Sequence, residues 1–224
     1  MRAKRKDRGD RTDFYYLLSA LLLLLFGVPL VQDFGRLDPD LARGIFFSVL
    51  MIIGARSLRG GEHYFKLGMV LAIVGVTLNV IAAGQTALFY KGASIVSLFV
   101  FLLVSISYTL KQVLFSKEIN AHRMVGAICV YLLLGVLWSL AYSFVDLVSP
   151  SSFTGADIDN AAGFKSTWIY YSFVTLTTLG YGDILPLSAT ARSLAYLEAI
   201  TGQFYVAILV AGLVSAYISD RQSS

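Results

Sequence analysis

Apolar residues in this chain come in long blocks rather than in an alternating or heptad pattern. Residues 14–32, 67–90, 92–110, 124–145 and 199–219 each run without an acidic or basic side chain. A helix needs about 20 such residues to cross a bilayer, so each block predicts a spanning helix. A sixth block, residues 41–55, is interrupted by Arg43. A long side chain of that kind can reach back to a membrane interface, and we include it as the second helix. The first block has the basic flank of a secretory signal, but its apolar core is long and 27–29 (GVP) offers no small-residue cleavage site; it reads as an uncleaved helix.

Charge tests this count. With the N-terminus inside, six alternating spans put thirteen of the 18 Lys and Arg in inner segments. These are Arg2, Lys4, Arg5, Lys6, Arg8, Arg11, Arg56, Arg59, Lys66, Lys111, Lys117, Arg123 and Arg221. Only Arg36, Arg43, Lys91, Lys165 and Arg192 fall outside. That is the positive-inside pattern, and removing the second helix would invert everything after it. Composition agrees: 57% of residues are hydrophobic and 14% charged, against about 25% charged in a soluble domain. The net charge of +4 then calls for membrane lipid, with anionic headgroups at the basic N-terminus, and not for nucleic acid. Cys129, the single cysteine, lies in an apolar run as a buried small hydrophobe, with no disulfide within one chain.

The expected fold is an all-α membrane protein of six transmembrane helices, with a re-entrant pore helix and loop between helices five and six. Residues 1–13 form a cytoplasmic basic N-terminus and 14–110 a peripheral four-helix domain. Residues 111–123 (KQVLFSKEINAHR) are a cytoplasmic linker, 124–219 a pore domain and 220–224 a short cytoplasmic tail. Within the pore domain, 146–165 is a polar outer loop. Residues 166–178 are apolar and aromatic but too short to span, which reads as a buried or re-entrant helix. Irregular backbone at membrane depth is tolerated only when protein buries it or when it lines an aqueous cavity.

That irregular backbone is 178–183, TLGYGD. Backbone carbonyls can replace the hydration shell of a monovalent cation without adding full charges. Aiming successive carbonyls at one axis requires left-handed residues, cheap only for glycine; Gly180 and Gly182 have the needed spacing. Thr178 can add its hydroxyl at the inner end, and Tyr181 would point away from the axis. The negative end of the preceding helix dipole would favour a cation at the inner mouth.

Thr178-Leu179-Gly180-Tyr181-Gly182-Asp183 resembles the Thr-Val-Gly-Tyr-Gly-Asp selectivity-filter signature of the potassium-channel pore-domain family, specifically a prokaryotic six-helix, single-pore-loop channel with a charge-free fourth helix. The order outer helix, pore helix, filter, inner helix is similar too, and the resemblance is specific over 124–219 but only architectural over the first four helices. It implies that Thr178, Leu179, Gly180, Tyr181 and Gly182 hold K⁺ ions, with no organic cofactor or structural metal. It implies that Asp183, Trp168, Tyr170, Tyr171 and Thr177 support the filter, and motif alignment gives Tyr171 the hydrogen bond to Asp183. Val174 stands where many relatives carry a glutamate. Gly202 matches a hinge position in the inner helix, and Gln203, Val206, Val210 and Val214 are expected to face the conduction path. One signature per chain implies three further copies around a shared pore, a homotetramer.

Glu198 is the one acidic residue inside a span, and an intramembrane carboxyl is a functional candidate: a brace behind the pore helix, a regulatory pH sensor, or a carboxyl merely satisfied by nearby hydroxyls. Residues 92–110 carry no charge, whereas a voltage sensor needs several. Asp146, Asp157, Asp159 and Asp183 would make the outer mouth acidic. The expected function is passive K⁺ conduction across the plasma or inner membrane, both termini cytoplasmic, without voltage gating by the fourth helix. The alternatives are a less selective cation channel and a non-conducting subunit with the pore fold. No triad, metal cluster or phosphate loop suggests an enzyme.

Overall fold

A computed structural model describes residues 2–33, 39–58, 61–84, 88–115, 121–155 and 166–222. Six long helices and one short one account for most of these residues: α1 (Arg2–Asp33), α2 (Pro39–Ser57), α3 (Glu62–Gly84), α4 (Leu88–Phe115), α5 (Ala121–Val148), α6 (Ser166–Leu176) and α7 (Ala189–Gln222). A 3-10 turn (Pro150–Ser152) and a short antiparallel pair, β1 (Phe153–Gly155) and β2 (Ile184–Pro186), complete the set.

Local signals set several helix ends. Pro39 opens α2, where its missing N–H costs nothing, and Arg56 sits in the last turn against the negative end of the dipole. Glu62 lies in the first turn of α3 and pairs with Lys66 at 2.8 Å, one turn on. The boundary expected at Lys91 lies earlier: α3 ends at Gly84, a residue that suits a helix C-terminus, and Lys91 lies inside α4. α4 also continues to Phe115. Of the linker expected over 111–123, residues 111–115 and 121–123 are helical, and 116–120 lie outside the described residues. The basic segment 1–13 is helical from Arg2 and continuous with α1.

Among the described residues, three helical segments are long and apolar enough to cross a membrane: Glu62–Ile81, Leu88–Val113 and Met124–Val148. Shorter apolar segments, Phe14–Gly27 and Phe47–Arg56, lie in α1 and α2. The burial of these segments differs. In Glu62–Ile81 only 17% of the most apolar window is buried, against 56% in Met124–Val148. α5 is the central helix, packed against α1, α4, α6 and α7. α3 instead leaves Val70, Ile73 and Val80 exposed, the surface expected of a lipid-facing helix.

One apolar core joins α1, α2, α4 and α5 through Leu17, Leu21, Leu24, Leu50, Phe101, Leu133 and Leu140. Leu17, Leu21 and Leu24 recur at helical spacing and are fully buried, so one stripe of α1 faces the bundle. A second, aromatic core lies beside α6: Tyr142, Phe153, Trp168, Tyr171, Ile184 and Ala191.

Candidate functional site

The short helix α6 ends where the signature begins. The Leu179 N–H donates to the Val174 carbonyl at 2.9 Å, the Gly180 N–H reaches the same oxygen at 3.3 Å, and the Thr178 N–H donates to Thr175 at 2.9 Å. These bonds occupy carbonyls that a helix end would otherwise leave unpaired. The Thr175 and Thr177 hydroxyls turn back onto the Tyr171 and Phe173 carbonyls at 2.8 and 2.6 Å. Both threonines therefore brace α6 itself.

Beyond the helix the backbone alternates in hand. Thr178, Gly180 and Gly182 have φ of 59°, 60° and 78°, while Leu179 and Tyr181 between them do not have positive φ. Such alternation can turn successive carbonyl oxygens to one side. Glycine takes these angles without penalty; a β-branched threonine there is an outlier. The sequence reading had assigned left-handed geometry to the two glycines only. Thr178 is held by its own hydroxyl, which donates to the Thr177 carbonyl at 2.7 Å and accepts from Gln203 Nε2 at 3.3 Å. Residues 177–183 are exposed within one chain, and a Cβ at Gly180 or Gly182 would meet nothing within 4 Å.

The outer end of the segment is tied on two sides. The Tyr170 hydroxyl donates to Asp183 Oδ2 at 2.6 Å, and the Ile184 N–H donates to Oδ1 at 3.1 Å. The Tyr170 ring also stacks on Tyr181, with centroids 6.5 Å apart and planes 10° from parallel. This corrects the expectation that Tyr171 bonds Asp183. Adjacent helical residues point about 100° apart. Tyr170 therefore faces the signature, while Tyr171 faces the back of α6 and packs edge-on against Tyr142 at 4.8 Å. Trp168 is likewise buried behind α6, against Phe153 at 4.6 Å. Within one chain, only Tyr170 of these three aromatics contacts Tyr181.

Past Asp183 the chain pairs with the outer loop, in the register Phe153↔Pro186, Thr154↔Leu185 and Gly155↔Ile184. The Leu187 N–H adds a bond to Ser152 at 2.8 Å. Ser188 then caps α7 by accepting the Ala191 N–H at 3.1 Å. Nothing in the loop's polar composition signals this pairing. Asp146 is buried and does not present a solvated carboxylate at the mouth, whereas Asp183 is exposed. Asp157 and Asp159 lie outside the described residues.

α7 packs against α6 and reaches the first residue of the signature through Gln203. Gly202 is buried, and a Cβ there would collide with the Leu176 carbonyl. The glycine is thus the point where α7 comes against the end of α6, and α7 runs unbroken through it. Gln203 and Val206 are exposed. The side chains of Val210 and Val214 lie outside the described residues. The Tyr205 hydroxyl donates to the Ala127 carbonyl at 2.6 Å, fixing α7 to α5.

Glu198 is fully buried where α5, α6 and α7 meet. Its two oxygens are hydrogen-bonded to the Tyr142 hydroxyl of α5 and the Ser172 hydroxyl of α6. Ser172 Oγ also contacts the Gly135 carbonyl of α5 at 2.7 Å.

The family model described as "Ion channel" matches residues 127–219, from α5 through the signature to α7. Residues 127–219 are therefore similar to an ion-channel family. Among curated proteins, this chain is 33% identical over 110 residues to "Two pore potassium channel a" of Oryza sativa subsp. japonica, covering 49% of this chain and 28% of that protein. It is 38% identical over 56 residues to "Two-pore potassium channel 3" of Arabidopsis thaliana, covering 25% and 13%. It is 41% identical over 54 residues to "Two pore potassium channel c" of Oryza sativa subsp. japonica, covering 24% and 12%. The chain thus spans less than a third of the length of these relatives. No solved structure matches it significantly.

Two residues around Glu198 have no signal in sequence spacing. Tyr142 and Ser172 lie 56 and 26 positions from Glu198, a separation no spacing rule connects. A serine inside an apolar helix facing a buried carboxyl was the available signal.

Proposed function

We propose that the chain is a potassium-selective channel subunit, and that four copies surround one pore lined by the TLGYGD segment. The observation that carries this reading is the alternation of backbone hand at Thr178, Gly180 and Gly182. One chain supplies one ladder of carbonyls from Thr178 to Gly182, and a dehydrated K⁺ needs oxygens all round. Closed fourfold symmetry meets that need. The open space beside Gly180 and Gly182 and the exposure of Leu179 and Tyr181 leave this segment free for neighbouring copies. Asp183, Tyr170 and Thr177 support the ladder, with Trp168 and Tyr171 behind the pore helix. Gln203, Val206, Val210 and Val214 line the inner cavity, with Gly202 behind them.

The uncharged stretch 92–110 of α4 offers no charge to move in the membrane field, so conduction does not follow voltage through that helix. The protein sits in a plasma or inner membrane with both termini inside, by the lysine and arginine asymmetry.

Purified chain reconstituted in liposomes tests the reading. K⁺ flux with a strong preference over Na⁺, abolished by Gly180→Asp, is the expected result. Equal K⁺ and Na⁺ flux would indicate a non-selective cation channel, and absence of flux a non-conducting subunit.

A further inference from the structure

The buried node at Glu198 has a hydrogen count that does not close for a carboxylate. Ser172 Oγ lies 2.7 Å from the Gly135 carbonyl oxygen and within hydrogen-bond distance of Glu198 Oε1. Serine has one hydrogen, and a peptide carbonyl can only accept. If Ser172 donates to an ionised Glu198, two oxygens at 2.7 Å face each other with no hydrogen between them. If it donates to Gly135, the contact with Glu198 requires a hydrogen from the glutamate. Tyr142 cannot supply it, since its own single hydrogen serves Oε2.

We infer that Glu198 is held as a carboxylic acid, and that its proton completes a relay fixing the pore helix to the helices on either side. Tyr142 of α5 donates to Glu198 Oε2. Glu198 Oε1–H donates to Ser172 of α6. Ser172 Oγ–H donates to the Gly135 carbonyl of α5. Every hydrogen then has an acceptor, and no buried charge is left unpaired. The ionisable groups facing Glu198 are Tyr131 and Tyr142 from α5 and Tyr171 from α6. Among the described residues no Lys, Arg or His forms an ion pair with it. Ser172 lies one helical turn before Leu176 and six residues before Thr178, so the relay holds α6 just where the alternating backbone begins. Glu198 is therefore a positioning residue: it acts on the ion path through α6. Loss of its proton at alkaline pH would force Ser172 to release either Gly135 or Glu198, and the pore helix would loosen.

The consequence for conduction rests on the channel reading above, but the protonation state can be tested without it. Infrared spectra of the full chain in liposomes at neutral pH should show a carboxylic-acid carbonyl band that disappears in Glu198→Gln. Its absence from the unaltered chain would overturn the proposal whether or not the protein conducts. In flux measurements Glu198→Gln should stay within about twofold of the unaltered chain at neutral pH, because its amide N–H replaces the acid O–H and its oxygen still accepts from Tyr142. It should also lack the decline in flux with rising pH that the relay predicts for the unaltered chain. Glu198→Ala removes both hydrogen bonds of the glutamate, and its flux should fall at least roughly tenfold. A Glu198→Gln protein as impaired as Glu198→Ala, or one that keeps the alkaline decline, would refute the relay.

Discussion

Tyr170, and not its neighbour Tyr171, holds the Asp183 carboxylate, with hydroxyl and carboxyl oxygen 2.6 Å apart. The bond spans thirteen residues and ties α6 to the outer end of the TLGYGD segment. Tyr170→Phe removes it while leaving the ring to stack on Tyr181. The expected outcome is a K⁺ current that decays faster during sustained conduction in bilayers. Tyr171→Phe keeps its ring in the cluster behind α6 and should leave the decay unchanged. Equal decay in both variants would separate Asp183 from filter stability.

Trp168 is fully buried among Tyr142, Phe153 and Tyr171. Truncation to alanine would leave a large cavity behind the pore helix, at a cost of about 3–5 kcal/mol. We expect a marked drop in the thermal unfolding midpoint of the detergent-solubilised protein. A midpoint within a degree or two of the unaltered chain would mean that the cluster relaxes to fill the space.

Gly202 and Gly212 lie on the same helix in opposite circumstances. A Cβ at Gly202 strikes the Leu176 carbonyl, whereas one at Gly212 meets nothing within 4 Å. Gly202→Ala must push α7 away from the end of α6, since a backbone oxygen cannot swing aside; overpacking of this kind costs about 1–3 kcal/mol. The expected result is loss of K⁺ flux and selectivity for Gly202→Ala, with Gly212→Ala close to the unaltered protein. Matching fluxes from the two would show that the close approach is not needed for conduction.

Gln203 donates to the hydroxyl of Thr178, the first residue of the TLGYGD segment, at 3.3 Å. Gln203→Leu keeps the bulk and removes the donor. We expect weaker block by internal Ba²⁺, an ion read here as a probe of the innermost site, with K⁺ over Na⁺ selectivity kept. Unaltered block would place the Ba²⁺ site beyond the reach of this contact.

Gly180 and Gly182 hold left-handed backbone that costs an L-residue with a side chain about 1–2 kcal/mol each. Gly182→Ala should therefore lower K⁺ over Na⁺ selectivity in liposome flux even though the added methyl meets no neighbour within the chain. Selectivity equal to that of the unaltered chain would show that strain at this position is absorbed elsewhere.

Much of this protein could be read from the order of its residues alone. The apolar blocks gave the helices, because lipid and a packed interior both demand uninterrupted apolar surface and internally satisfied backbone. The short apolar stretch 166–178 marked α6, and the glycine spacing marked the alternating backbone. These are local properties, set by composition over one or two turns. Residue partnership is not local. Whether Tyr170 or Tyr171 faces Asp183 depends on the rotation of α6, which the packing of Trp168 and Tyr171 against Tyr142 and Phe153 fixes. That the outer loop pairs with Ile184–Pro186 depends on where α5 and α7 bring the two segments. The role of Gly202 follows from the position of Leu176, and the proton inferred on Glu198 of α7 from its meeting with Ser172 of α6 and with Gly135 and Tyr142 of α5. Sequence determined which segments form helices and which one must break; only the packing of those helices decided which side chains meet.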